Sequence, residues 1–210
     1  MYLGAVPALR ERKKAQTRDA IERAAIRLFD AQGYEATTVD QIADAADVSV
    51  RTFYRYFDSK DAVIFARFDD YLEGFCIAIR DRACSQDSFG DLAAVTENFA
   101  SELEDERTWL LAYHRLISAN PALLLRSLQD HLRWQHAVAV ELAREAGVGP
   151  DDLRVNVLAS AFSGAFRSGL TAWQRGGGAT LLRVEVAQAN RVLADLPAVM
   201  QSLSPSLATT

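Results

Sequence analysis

Residues 37–60 read TTVDQIADAADVSVRTFYRYFDSK, and this stretch decides the fold. Thr38 with Gln41 three residues on is a capping box: the hydroxyl accepts from a backbone N–H and the amide reaches back. Val39, Ile42, Ala43 and Ala46 then form one apolar stripe, which predicts a short helix. A turn at Asp47–Val48 follows, and Ser49 is placed to cap a second short helix carrying Phe53 and Phe57 on one side. Arg51, Thr52, Arg55 and Tyr56 fall on the opposite side. Rings thus hold the small helix down while cations and hydroxyls face outwards.

Working outward, Ile21, Ala25, Leu28 and Phe29 repeat at helical spacing and Gly33 ends that helix. Ahead of it Arg10, Arg12, Lys13, Lys14 and Arg18 stand against Glu11, a basic arm. Behind it Asp58 or Ser59 caps a longer helix striped with Ile64, Phe68, Tyr71, Leu72, Phe75 and Ile79. Further helices are expected over 88–103, 106–118, 121–146, 151–174 and 179–200, with a frayed tail after them. The fold class is all-α: a three-helix module plus a larger helical domain.

The net charge of −5 divides unevenly. Residues 1–60 carry 10 Lys/Arg and 9 Asp/Glu, and the remainder carries 13 and 19. The basic arm can be a solvated tail, or it can meet phosphates. The apolar runs are far short of the ~18 residues of a membrane span, and the N-terminus lacks a secretory core, so a cytoplasmic chain is expected. Cys76 and Cys84 read as small buried side chains. His114, His131 and His136 lack the partners of a metal set, and no metal or cofactor is expected. Neither a phosphate loop nor a nucleophile motif is present, so an enzyme is not expected.

Two short helices joined by a tight turn make a helix-turn-helix. Residues 10–64, above all AAIRLFDAQGYEATTVDQIADAADVSVRTFYRYFDSKDAVI, closely resemble the DNA-binding domain of the tetracycline-repressor-like (TetR) family. The resemblance implies an all-helical homodimer with a ligand-binding C-terminal domain and repression relieved by a small molecule. It implies that Thr38, Thr52, Tyr56 and Lys60 meet phosphates while Val50, Arg51 and Tyr54 look towards bases. Asp47 stands where glycine is common in the turn, and tolerates a positive φ better than most residues. Arg51 stands where many members have a small residue. Asp40 either accepts from a cytosine amine or simply favours its helix N-terminus.

For the larger domain, Leu182, Val186, Ala189, Leu193, Leu196 and Met200 form a helical seam, and Leu158, Phe162 and Phe166 another. Family resemblance makes the pair the dimer interface; intramolecular core is the alternative. Phe75, Phe99, Trp109, Tyr113, His114, Trp134, Phe162 and Phe166 are the candidates for a ligand pocket, with plain core the alternative for each. The expected organisation is a DNA-binding domain with its basic arm over 1–58, a ligand-binding and dimerisation domain over 59–202, and a flexible tail over 203–210. The expected partners are double-stranded DNA at an inverted-repeat operator, a small apolar or amphipathic effector, and a second copy of the chain, with no membrane. A ligand-independent DNA-organising protein built on the same module is the competing function.

Overall fold

The computed structural model describes residues 9–82 and 87–203. Cys84, the tail from residue 204, and the side chains of Arg10, Glu11 and Met200 lie outside the described residues. Among these residues the regular structure is all helical, without a strand. The elements are α1 Leu9–Gln32, α2 Val39–Ala45, α3 Val50–Tyr56, α4 Lys60–Asp81, α5 Ser88–Leu103, a single 3-10 turn Glu104–Glu106, α6 Arg107–Ala119, α7 Pro121–Ala146, α8 Leu153–Arg175, α9 Leu182–Ala194 and α10 Leu196–Leu203. They form two compact units, one holding residues through Phe68 together with Ala112–Arg126, the other Asp69–Leu111 and the residues from Ser127 on.

The first unit closes around Ile21, Ala25 and Phe29 of α1, Ile42 of α2, Phe53 and Phe57 at α3, and Ile64 of α4, all buried. Its short helices begin as their caps dictate. The Thr38 hydroxyl accepts from Gln41 N at 3.2 Å, and Gln41 Oε1 accepts from Thr38 N at 3.0 Å. Ser49 Oγ accepts from Thr52 N, and Ser59 Oγ from Ala62 N. Gly33 leaves α1 at φ 88°, and Asp47 leaves α2 at φ 54° with Val48 N donating to Ala43 O. A buried ion pair fixes α4 within this unit: Glu22 accepts from Arg67 Nε at 2.8 Å and faces Arg18 at 3.1 Å.

The second unit packs α5, α8 and α9 around Leu92, Phe99, Ala159, Phe162, Trp173, Leu182 and Val186. Helices α8 and α9 nearly touch at Gly169, where a Cβ would stand 2.9 Å from Val186 Cα. Trp173 Nε1 donates to Thr180 O, and Arg107 donates to the carbonyls of Gly177 and Gly178, so the α8–α9 loop is held from both sides. The single helix expected over 179–200 is two helices. Asp195 adopts φ −120° and ψ 38°, and α10 begins beside Pro197. Proline has no N–H to donate to Leu193 O, and its ring would strike that carbonyl, so α9 stops there.

Candidate nucleic-acid interface

The helix-turn-helix places its side chains by anchoring one face of α3. Phe53 is fully buried and Phe57 nearly so, their centroids 5.8 Å apart. With that face held, Arg51, Tyr54 and Arg55 are exposed, and Val50, Thr52 and Tyr56 are half-buried at its margins. Tyr54 is 53 % exposed, edge-on to Phe53, which makes it a surface ring and not core. The Arg55 guanidinium lies 5.2 Å from the Tyr56 ring centroid. Thr38 is exposed at the start of α2, and Asp40 is exposed in its first turn. Two guanidinium groups and a phenol on one exposed helical face can meet phosphates and base edges.

Lys60, for which the resemblance implies a phosphate contact, has partners within the chain. Its ammonium donates to Tyr34 O at 2.8 Å and Thr37 O at 3.1 Å, with Glu35 O at 3.5 Å, and lies 4.2 Å from the Tyr34 ring centroid. Burial, with Asp61 and Glu35 nearby, pushes the Tyr34 phenol up to about 12, so the ring beneath the ammonium stays neutral. Gln32 Nε2 joins the same network, donating to Gln41 Oε1 at 2.9 Å and Thr37 Oγ1 at 3.2 Å. Buried Thr37 donates to Gly33 O. The loop that delivers the α2 cap is therefore tied to α1 and α4 at once. Sequence reasoning missed Gln32, Tyr34 and Thr37 in this role, because they come together only through the tertiary turn.

Five of the eight ligand candidates gather in the second unit: Phe75, Phe99, Trp134, Phe162 and Phe166. Trp109 reaches the group through Tyr71, edge-on to both Trp109 and Phe99. Tyr113 and His114 belong to the first unit, where Tyr113 stands edge-on to Phe65 at 6.0 Å. The gathered rings fill their own space, and the cavity among them is about 10 Å³.

The dimer candidates divide as well. Phe162, Leu182 and Val186 are buried in the chain's own core, while Phe166 and Leu193 pack partly against it. Leu158 and Leu196 are each 46 % exposed, and Ala189 lines a groove of about 330 Å³ between α8 and α9. The heptad seam cannot reveal this division, because both faces of α8 and α9 are apolar: Val157 and Val192, outside the predicted seam, are exposed too.

The comparisons agree with this geometry. A model of bacterial regulatory proteins of the tetR family matches residues 21–66, and a model of the MftR C-terminal domain matches residues 92–197. The transcriptional regulator TcmR of Streptomyces glaucescens is 34% identical over 152 residues, 70% of this chain and 67% of TcmR. The regulator RutR of Escherichia coli K12 is 31% identical over 172 residues, 76% of this chain and 80% of RutR. Among solved structures, FadR of Thermus thermophilus, a TetR-family repressor in complex with lauroyl-CoA, superposes with a TM-score of 0.56 at 25% identity, covering 84% of this chain and 93% of FadR. The two family models and the relative TcmR together show the family: the chain belongs to the TetR family of bacterial transcriptional regulators.

Proposed function

We propose that this chain is a homodimeric transcriptional repressor that leaves an inverted-repeat operator when a small apolar or amphipathic effector binds its second unit. In this reading residues 1–58 bind DNA, and residues 59–202 bind the effector and dimerise. The observation that carries it is the outward face of α3, with Arg51 and Tyr54 exposed and Phe53 locked beneath them. Arg51, Tyr54 and Val50 read bases in the major groove. Thr38, Thr52 and Tyr56 meet phosphates, and Lys60 holds the loop that aims them.

A dimer is required because two α3 helices must enter successive major grooves about 34–36 Å apart. The exposed strip of Val157, Leu158, Val192 and Leu196 beside the α8–α9 groove supplies an apolar face for a second copy. The lauroyl-CoA bound by Thermus FadR supports a ligand-responsive second unit of this fold. Selection of bound DNA from a random duplex library tests the reading. Enriched sequences should contain two inverted half-sites one helical turn apart or a multiple of it, and enrichment without an inverted repeat would sink the operator. The closed aromatic core favours a second reading, DNA binding that answers to no effector. Loss of the selected complex on adding a small molecule decides against it.

A further inference from the structure

We propose that the first unit carries a small-molecule site of its own, a groove between the ends of α1 and α6 that takes an organic amine with an apolar body. The site is separate from the effector of the second unit and does not depend on it.

Small side chains leave the groove open. Ala36, Ala112 and Ala119 line it together with Gly33, where a Cβ would meet nothing within 4 Å. The space is about 530 Å³, inside the ~300–1,000 Å³ range of small-molecule sites. All of its lining residues belong to the first unit. Phe29 is buried and Ile26 and Leu116 are half-buried, so a wall of hydrocarbon faces the space. That wall suits an apolar body.

Charge decides the other end of the ligand. The charged side chains of the lining are Asp30, Glu35 and Arg115. Arg115 donates to Asp30 Oδ1 from Nε at 3.1 Å and from Nη2 at 2.9 Å, and the two charges balance. Glu35 Oε1 accepts from the neutral amide of Asn120 at 3.2 Å, which leaves the Glu35 charge unbalanced within the lining. Lys60, outside the lining, holds the loop carbonyls and is matched in charge by Asp61, its neighbour in the chain. Two helices also end at the groove. Gln32 closes α1, Ala119 closes α6, both line the space, and neither helix has a basic residue in its last turn. A helix C-terminus carries about half a negative charge and favours a cation there. One unbalanced carboxylate and two such helix ends beside an apolar wall match an ammonium group on a hydrocarbon body.

The same groove touches the DNA-reading apparatus. Its wall from Gly33 to Ala36 is the loop that delivers the α2 cap, and Lys60 and Gln32 tie that loop down. A bound amine that favours one position of the loop therefore shifts the affinity for DNA.

Calorimetry on the full chain with octylamine, octanol and octanoate tests this, since the three differ chiefly in the charge at one end. Octylamine should bind once per chain and be preferred to octanol by roughly threefold to tenfold, the worth of one net polar contact. That preference should shrink as salt is raised, and octanoate should bind more weakly than octanol. Glu35→Gln keeps an oxygen to accept from Asn120, so it should melt like the wild type while bringing octylamine and octanol close to parity. Ala119→Trp, a ring added at an exposed lining position, should melt cooperatively and bind none of the three. Equal affinity for octylamine and octanol in the wild type, or a preference that survives Glu35→Gln, overturns the cation site. Octylamine binding that survives Ala119→Trp overturns the groove. Binding that leaves the affinity for the selected DNA unchanged upholds the site and overturns its action on the loop. Each of these results is read without the second unit's effector, so failure here leaves ligand-responsive repression standing.

Discussion

Lys60 shows how a single side chain changes meaning once the chain is folded. The family resemblance implies a phosphate contact for it, while in the folded chain its ammonium donates to the carbonyls of Tyr34 and Thr37. A direct phosphate contact contributes about 0.9 to the slope of log affinity against log salt, and a positioning lysine contributes none. Lys60→Ala should therefore lower the melting temperature and weaken DNA binding without changing the salt slope. A slope reduced by about one would return Lys60 to the DNA. Arg51 takes the complementary test. Its exposed guanidinium suits the O6/N7 edge of guanine, a contact that discriminates by about 1–3 kcal/mol. Arg51→Ala should relax preference at one position in each half-site, measured by competition among single-base variants. A uniform loss across all variants would reduce Arg51 to a backbone contact.

At the scale of elements, the part read from the sequence is the part governed by neighbours in the chain. The Thr38–Gln41 box, the Ser49 cap, the Gly33 stop and the positive φ at Asp47 are local, and all four stand as the residues dictate. Ring supply named Phe75, Phe99, Trp134, Phe162 and Phe166, which do gather, but it named Tyr113 of the first unit with them. What escaped is long-range. Nothing near Tyr113 tells which unit it joins, and a seam does not say that Leu182 and Val186 face inwards while Leu196 faces out. Pro197 is the local signal that divides α9 from α10, against the run of the heptad. Gly169 became visible only when α9 lay against it. A Cβ there would come within 2.9 Å of backbone atoms of Val186, which cannot rotate away. Overpacking of this kind costs about 1–3 kcal/mol, against a helix-propensity gain of roughly 0.8–1 kcal/mol from glycine to alanine. Gly169→Ala should thus melt at a lower temperature than wild type. A higher melting temperature would mean that the two helices part without penalty.

For the whole molecule, the question is which apolar face meets a second copy, and burial separates the candidates. Leu182 is fully buried and Leu196 is 46 % exposed, although both belong to the same predicted seam. An aspartate at Leu182 would bury an unpaired carboxylate in the chain's own core, a loss of several kcal/mol against a typical total of ~5–15. Leu182→Asp should consequently fail to fold, as monomer or dimer. An aspartate at Leu196 or Leu158 is solvated in an isolated chain and desolvated only when another chain covers it. Across a two-fold axis the same charge appears twice in one interface, so the repulsion is doubled. Leu158→Asp and Leu196→Asp should therefore keep the helical signal and a cooperative melt while sedimenting as monomers at micromolar concentration. Their affinity for a full inverted repeat should fall towards that for a single half-site, since the second recognition helix is no longer delivered by the first. If both variants remain folded dimers, the two-fold axis does not pass through the α8–α9 face, and the spacing of the operator half-sites has to be set by another surface of the second unit.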